Sequence, residues 1–218
     1  MKNISEIYEG LLADMDDTLK QGDDEIMRQH ILDQLQNEDL YWYNKHIPID
    51  KAFRIHKKGN KWIVDLKVNF TCYGTEDGYL TDGSFEFGVA AASFSIINKN
   101  IGKPLNVKSL KYGPTLINHN LSIMDCPKLK NLRFCPEKVM ENIVIGDTGI
   151  TTLKYFPEYC DFAEIVHNTN LKEFDAKDIT LKSGIRIYKN GFDSKILKNN
   201  FDHKCNFRCD FPTIILDI

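Results

Sequence analysis

Apolar and polar residues alternate over short stretches in the second half of the chain, and each stretch ends at the same point of a recurring interval. The interval runs from a hydrophobe to a bend position sixteen positions further along the chain. Alternation with period two predicts short strands, and its recurrence at a fixed interval predicts a repeat protein. The four copies are Leu110 to Cys126, Leu132 to Thr148, Leu153 to Thr169 and Phe174 to Asn190.

The strand of each copy has the pattern hydrophobe-x-hydrophobe-x-x-bend. The four stretches begin at Leu121, Ile143, Glu164 and Ile185, and an upstream copy begins at Phe94. Five extra residues, Lys103 to Val107, predict a loop insertion between the first two of these five strands.

Three intervals open with a hydrophobe followed by a basic residue, an aromatic residue, any residue and proline. These openings are Leu110 to Pro114, Leu132 to Pro136 and Leu153 to Pro157. Only about six to eight residues separate each proline from the next strand, too few for a long helix. We therefore expect turns on the back of each coil, with at most one helical turn starting at Pro136-Glu137 or Pro157-Glu158.

These units resemble leucine-rich repeats over roughly Phe94 to Phe192. The resemblance implies stacked parallel strands and a polar bend residue that satisfies backbone groups of the neighbouring coil. Lys99 at a bend, Glu164 at an apolar position and the scarcity of leucine depart from that pattern. The aromatic-x-proline turn also resembles diverged repeat proteins encoded by bacteriophages and prophages of gut bacteria.

Residues 1–45 have a helical pattern. Asn3 and Glu6 can form a capping box, and Gly22 is expected to end a first helix. A second helix is expected from Asp23 to Leu35, and the two helices could cap the end of the repeat array. The apolar stripes are Ile4, Ile7, Leu11 and Met15 in the first helix, and Ile26, His30, Ile31 and Leu35 in the second.

The predicted fold class is α+β: a leucine-rich-repeat-like solenoid of short parallel strands, with a turn-rich back and an N-terminal helical cap. Its expected divisions are the cap (1–45), bridging strands with a degenerate first coil (46–92), the solenoid (93–192) and a C-terminal cap (193–218). We also expect a degenerate first coil, Leu66-x-Val68-x-x-Thr71, and a loop over Tyr73 to Gly83. The expected strands outside the repeat are Trp62 to Phe70, Ser84 to Val89 and Thr213 to Leu216.

Composition and charge exclude several functions. With 42% hydrophobic and 27% charged residues, the 218-residue chain falls in the globular range. Twenty-eight basic and 31 acidic residues give a net charge of −3, so we expect neither nucleic acid nor an anionic membrane as a partner. Because the chain shows no apolar membrane span and no signal sequence, we expect it in the cytoplasm of a bacterial host cell or in a virion, with its six cysteines reduced.

Two motifs raise the possibility of catalysis. The segment Asp14-Met-Asp16 resembles the first motif of haloacid-dehalogenase-like phosphatases, which implies an attacking aspartate, an acid/base and bound Mg²⁺. Gly146-Asp147 resembles the late metal-binding strand of that family, although Thr151 stands where an acidic residue is expected. On a helix, Asp14 and Asp16 would lie roughly 200° apart and could not converge on one ion, so a solvated helix face is the simpler interpretation.

The segment His203-Lys-Cys205-Asn-Phe-Arg-Cys209 could suggest zinc. Its spacing does not fit a usual zinc knuckle and a fourth ligand is not evident, so a capping loop with packed thiols is the simpler interpretation. No phosphate-binding loop or hydrolase motif occurs. We therefore expect no cofactor, no metal and no enzymatic activity.

The variable strand residues should stack into one recognition surface, as the leucine-rich-repeat resemblance implies. The expected function is a noncatalytic module that binds a protein through this surface, as a phage accessory or virion-associated protein. Its rivals are the Mg²⁺-dependent phosphatase and a structural assembly subunit; the partner's identity and the oligomeric state are not predicted. The surface residues are Ser122, Met124, Asp125, Val144, Gly146, Asp147, Ile165, His167, Asn168, Arg186, Tyr188 and Lys189.

Overall fold

A computed structural model describes residues 21–100, 103–172, 179–188, 190–191 and 213–217. The chain divides into two compact units, residues 1–37 and residues 38–218. Several predicted features lie outside the described residues and stay predictions. They are the stripe from Ile4 to Met15, the carboxylates Asp14 and Asp16, Lys189, and the segment His203 to Cys209.

The described part of the first unit is helix α1, which covers residues 21–35. It confirms the predicted second helix, but Gly22 is itself helical, so the predicted helix end at this residue is wrong. Ile31 and Leu35, one helical turn apart, are fully buried. Ile26 is 71% exposed and His30 is exposed, so the apolar stripe is narrower than predicted.

The second unit is a β-solenoid of about five coils with mostly parallel strands on two sides. The strands of one side form the front sheet: β1 (Tyr41–Trp42), β4 (Phe70–Cys72), β6 (Phe94–Ile96), β8 (Leu121–Met124), β10 (Asn142–Gly146) and β13 (Thr213–Asp217). Those of the other side form the back sheet: β2 (Phe53–Lys58), β3 (Lys61–Leu66), β5 (Glu86–Ala90), β7 (Leu116–Ile117) and β9 (Lys138–Val139).

Two longer strands, β11 (Tyr159–Val166) and β12 (Thr180–Tyr188), pass through both sheets. The first residues of β11 pair with β9 in the back sheet and its last residues pair with β10 in the front sheet. The predicted final strand is confirmed as β13, which pairs in parallel with β12. A short helix, α2 (Ile49–Ala52), precedes β2.

The core lies between the two sheets and is filled by the inward-facing residues of each strand. In the front sheet, Ile96, Ile123 and Ile145 stand in register on neighbouring coils, and each is buried. This confirms the predicted inward alternation of the strands that begin at Phe94, Leu121 and Ile143. In the back sheet, Ala90, Ile117 and Val139 form the matching buried row.

The first coil uses a different register from the predicted one. Phe70 and Cys72 face inward and pair with Phe94 and Ile96, whereas Leu66 belongs to the back sheet. The predicted coil Leu66-x-Val68-x-x-Thr71 is therefore wrong. The inward rings of this end pack with centroids 5.3–6.4 Å apart, which adds aromatic contact to the area buried. They are Tyr41, Phe53, Phe70, Phe85, Phe87 and Phe94.

The basic-aromatic-x-proline openings form tight turns between the coils. In each turn the residue before proline donates its N–H to the carbonyl of the opening leucine, as Cys135 does to Leu132 at 2.9 Å. The aromatic residue occupies the third position with φ near 70°, as a type II turn requires. The three such residues are Tyr112, Phe134 and Tyr155.

No helical turn begins at Pro136 or Pro157. The N–H of Glu137 bonds to the carbonyl of Thr115, and the N–H of Glu158 bonds to the carbonyl of Glu137, at 3.3 and 2.8 Å. These lateral bonds join neighbouring coils, so the same N–H groups are not used along a helix. The back of the coil is therefore turns with two-residue strands, and the proposed helix start is wrong.

The third coil is shifted by one residue from the predicted pattern. Ile145 pairs with Ile165 and Ile165 pairs with Ile187, so the inward residues of β11 are Ala163 and Ile165. Glu164 and Val166, which had been assigned to the inward positions, face outward. The bend position of this coil is consequently Asn168 and not Thr169.

Asn168 connects three successive coils, two through its side-chain amide and the third through its backbone N–H. Its Oδ1 accepts hydrogen bonds from the N–H and the hydroxyl of Thr148, at 3.1 and 2.6 Å. Its Nδ2 donates to the carbonyls of Ile145 and Val166, both at 2.9 Å. Its own N–H donates to Oδ1 of Asn190 at 2.8 Å. A fully buried amide thus satisfies backbone groups that would otherwise be unpaired.

Replacing Asn168 by alanine should therefore destabilise the fold by about 2–4 kcal/mol, since it leaves several buried groups of Thr148, Ile145 and Val166 without partners. Thr169→Ala is the matched control, because that side chain is exposed and its loss should cost less than about 0.5 kcal/mol. Urea unfolding followed by far-ultraviolet circular dichroism measures both. Equal losses for the two variants would contradict the register described for this coil.

Candidate functional site

The outward-facing residues of the front sheet form a continuous surface, here called the front face. It comprises the outward residues of β6, β8, β10, β11 and β12, with the turn residues Asp125, Asp147 and His167. Because parallel strands lie about 4.8 Å apart, residues in register form rows across the coils. Two such rows are Ser95, Ser122, Val144, Glu164 and Arg186, and Met124, Gly146, Val166 and Tyr188; Ile97 directly follows the end of β6 on the coil before Met124.

Nine of the twelve predicted surface residues occupy the front face. Two others, Ile165 and Asn168, are fully buried in the interior, so their assignment to the surface is wrong. The cause is the one-residue shift of the third coil, which reverses the direction of every side chain in the strand. Lys189, the twelfth, lies outside the described residues.

Because of the same shift, the prediction missed two outward-pointing residues: Glu164, which is half-buried on the front face, and Val166, which is only 7% exposed beneath its neighbours. A signal was present in the sequence, because Ala163 and Ile165 followed by Asn168 also fit the hydrophobe-x-hydrophobe-x-x-bend pattern. An asparagine amide supplies a donor and an acceptor at the bend, so Asn168 was the chemically stronger choice than Thr169.

The middle of the front face is apolar. Ile97 is 37% exposed, and Met124 and Val144 are half-buried on the next two coils. The thioether of Met124 lies over Gly146: a Cβ at that glycine would be 2.8 Å from both Sδ and Cε of Met124. Gly146 thus forms a shallow depression that the methionine fills, which leaves a nearly flat apolar surface.

One end of the front face carries charged pairs that link neighbouring coils. Arg186 Nη1 lies 3.3 Å from Oε1 of Glu164. The guanidinium carbon of Arg186 is also 5.4 Å from the ring centroid of Tyr188, within the range of a cation–π contact. These contacts hold the three side chains in defined positions on the surface.

A histidine joins this end to the middle of the face. His167 Nε2 is 2.9 Å from the hydroxyl of Tyr188, and Nδ1 is 3.5 Å from Oδ2 of Asp147. If Nδ1 carries the proton toward the carboxylate, Nε2 accepts the tyrosine O–H. Asp147 and His167 both have φ above 50°, which turns their side chains toward each other at the end of the strands. The cluster orients a tyrosine, a histidine and a carboxylate at the edge of the apolar surface.

The catalytic interpretations gain no geometric support from the described residues. Asp147 lies in a turn between coils beside His167, and within residues 38–218 the structure describes no helix except the four-residue α2. No group of three His, Cys, Asp or Glu side chains that could hold a metal is found among the described residues. The described part of the chain also lacks a helix of the length and apolar character that a membrane crossing requires.

The four described cysteines, Cys72, Cys126, Cys135 and Cys160, are free thiols, as predicted. Burial raises the pKa of Cys72 and of Cys160 to about 12. Both thiols are therefore protonated at neutral pH and do not act as nucleophiles, because the thiolate is the reactive form.

Comparison of the chain with family models, with curated proteins and with solved structures finds no match. The class of the second unit, a β-solenoid with parallel strands on two sides, is defined by its own topology.

Two glycines of one coil provide a test of the described shape of the front face. A Cβ at Gly149 would lie 2.0 Å from the carbonyl oxygen of Pro127, a backbone atom of the preceding coil, whereas a Cβ at Gly146 would meet only side-chain atoms. Gly149→Ala should therefore destabilise the protein by about 3 kcal/mol, and Gly146→Ala by about 1–2 kcal/mol, because the flexible Met124 can move away but Val166, whose Cγ2 would also lie 2.8 Å from the new Cβ, must shift as well. Thermal unfolding measures both, and a larger loss for Gly146→Ala would contradict the description.

Proposed function

We propose that the chain is a noncatalytic interaction module that binds a protein partner through the front face. The observation that carries this proposal is the arrangement of the face itself. An apolar middle of Ile97, Met124 and Val144 is bordered at one end by charged and polar groups. Protein interfaces have this anatomy, with an apolar centre and a polar rim, and tyrosine and arginine are the residues that most often dominate their energies.

The front face is well prepared for binding because its backbone does not have to be ordered. The inner strands of the front sheet are hydrogen-bonded on both sides, so their main-chain groups are already satisfied. A partner therefore contacts the side chains of the front face and does not need to hydrogen-bond to its main chain. Since the Arg186 and Tyr188 side chains are already held by their neighbours, less conformational entropy is lost when they are buried.

The charged end sets the chemistry of the partner. Glu164 and Arg186 form a pair, so a partner needs a polar edge that can hydrogen-bond to this pair without leaving either charge buried alone. Tyr188 and His167 add a donor and an acceptor beside it. We propose a partner that places an apolar patch over Met124 and Val144 and polar groups around Arg186.

The leucine-rich-repeat resemblance supports the choice of surface, since proteins of that family bind through their stacked strands. As part of the same proposal, the protein is a phage accessory or virion-associated protein, and it acts in the cytoplasm of a bacterial host cell or in the virion. The repeated aromatic-x-proline turns support this assignment by their resemblance to proteins encoded by bacteriophages and prophages.

The proposal is tested by affinity capture from a lysate of the native host, followed by direct titration of each captured protein. The test variant combines Met124→Ala, Asp147→Asn and Tyr188→Ala, which truncates one of the three residues of the apolar middle and changes two polar groups while leaving the buried rows intact. We expect the affinity of a true partner to fall at least tenfold, because buried anchor residues dominate interface energies.

A matched control places three substitutions on the opposite side of the same coils: Lys138→Ala, Tyr159→Ala and Thr180→Ala, an outward row of the back sheet. This control should bind as the unchanged protein does. If every partner persists with the front-face variant, the front face is not the binding surface. Mg²⁺-dependent hydrolysis of p-nitrophenyl phosphate that is lost in Asp14→Asn would contradict the noncatalytic assignment.

A further inference from the structure

A groove on the outer side of the back sheet is separate from the front face. It consists of two adjoining cavities of about 340 and 520 Å³, which share Lys61, Glu86 and Thr115 as lining residues. Each volume falls in the range of small-molecule sites, which is about 300–1,000 Å³. The floor includes Gly88, and a Cβ there would lie 2.3 Å from Oδ1 of Asp65. A side chain at this position would collide with Asp65, so the glycine allows the Asp65 carboxylate to lie over β5.

The sides of the groove carry fixed polar groups. Asp65 lies at an irregularity in the pairing of β3 with β5, and its Oδ1 accepts the N–H of Val89 at 2.9 Å. Lys61 and Glu86 form an ion pair at 2.6 Å across the same strands. Bulges of this kind re-aim side chains and are frequent beside binding sites. The groove is therefore a defined set of donors and acceptors.

The charges of the groove balance. Besides His56, whose Nδ1 lies 3.8 Å from Oδ2 of Asp65, three lysines and three carboxylates line the two cavities: Lys58, Lys61, Lys111, Asp65, Glu86 and Glu137. A polyanion such as nucleic acid would meet as many carboxylates as lysines, and a polycation would meet as many lysines as carboxylates. The chemistry favours a neutral ligand with many hydrogen-bonding groups, which can use both kinds of side chain.

Aromatic rings border the smaller cavity. Phe134 is 48% exposed and lines the cavity together with Tyr112. The turn holds each ring at its corner, and the guanidinium carbon of Arg133 lies 5.0 Å from the centroid of Phe134. The electron-rich face of such a ring attracts the weakly positive C–H groups on the apolar side of a sugar ring.

A peptide strand fits this groove less well. The groove lies over β5, which is hydrogen-bonded to β3 on one side and to β7 on the other, so its backbone offers no free edge for a peptide to extend the sheet. From the equal numbers of lysines and carboxylates, the lining of mixed polar and apolar character and the exposed ring, we infer that this groove binds a neutral oligosaccharide.

The inference is tested by isothermal titration of the full-length chain with maltohexaose, cellohexaose, mannohexaose and N-acetylglucosamine hexamer, each at millimolar concentration. At least one of them should bind. Phe134→Ala should weaken that binding by about tenfold, the upper end of what one aromatic contact supplies. Glu137→Gln should weaken it severalfold by removing a charged acceptor of sugar hydroxyls.

Each variant has a matched control one coil further along. Tyr155 occupies the same turn position as Phe134, with φ of 68° against 70° and 52% exposure, but it does not line either cavity. Glu158 follows proline as Glu137 does and also lies outside both cavities. Tyr155→Ala and Glu158→Gln should therefore bind the sugar as the unchanged protein does, and thermal unfolding verifies that all four variants are folded.

Three outcomes would overturn the inference. The first is that no oligosaccharide of the panel binds. The second is that Phe134→Ala and Glu137→Gln bind with unchanged affinity, or that their controls lose affinity equally. The third is that a pool of short unstructured peptides, and no sugar, binds in a way that depends on Phe134. None of these measurements involves the front face, so the result is independent of the proposed protein partner.

Discussion

The second unit depends on satisfying the backbone where each strand of the front sheet turns away from its neighbours. A strand end inside a stack of coils has N–H and C=O groups that neither water nor the next rung can reach. The buried amide of Asn168 satisfies such groups on two coils, because it accepts hydrogen bonds from Thr148 of the preceding coil and donates to the carbonyls of Ile145 and Val166. Asn190 repeats the arrangement by accepting the N–H of Asn168 and donating to Ile165 and Tyr188. The regular rows on both sides of the solenoid follow from this alignment.

The turns that precede the back-sheet strands have a different requirement, because the chain must change direction there within very few residues. A left-handed backbone conformation at Tyr112, Phe134 and Tyr155 closes each turn, at a cost of roughly 1 kcal/mol per non-glycine residue. The neighbouring basic side chain lies 4.4–5.2 Å from each ring and offsets part of that cost. The following proline is buried and has no N–H to satisfy. A glycine would adopt this backbone conformation without the cost. Because each turn has an aromatic residue instead, three successive coils each carry an aromatic ring at this corner.

The sequence predicted the stacking well because the physical requirements of a coil repeat in its residues. Strand alternation, the bend and the proline turn were all visible, and the inward rows at Leu121, Ile143 and Ile185 were located correctly. The third coil was misplaced because Ile165 and Val166 are both apolar, so alternation alone could not choose between two registers one residue apart. The identity of the bend residue decides that choice, through hydrogen bonds that only the folded chain displays. The groove of the back sheet could not be predicted, since it joins Asp65, Glu86 and Phe134 from three coils whose alignment depends on irregular spacings.

The lengths of the back-sheet strands give the solenoid an uneven resistance to local opening. Strands β7 and β9 share two register pairs in the back sheet, extended by backbone bonds such as the one from Met140 N–H to the Ile117 carbonyl, whereas β11 and β12 are paired without a break between the sheets at seven positions. Segments held by few interstrand bonds open with smaller free energies than those held by many. The amide protons of β7 and β9 should consequently exchange with deuterated solvent before those of β11. These short strands adjoin the turns that carry Tyr112 and Phe134, so a small movement of their backbone would change the width of the groove that these rings border.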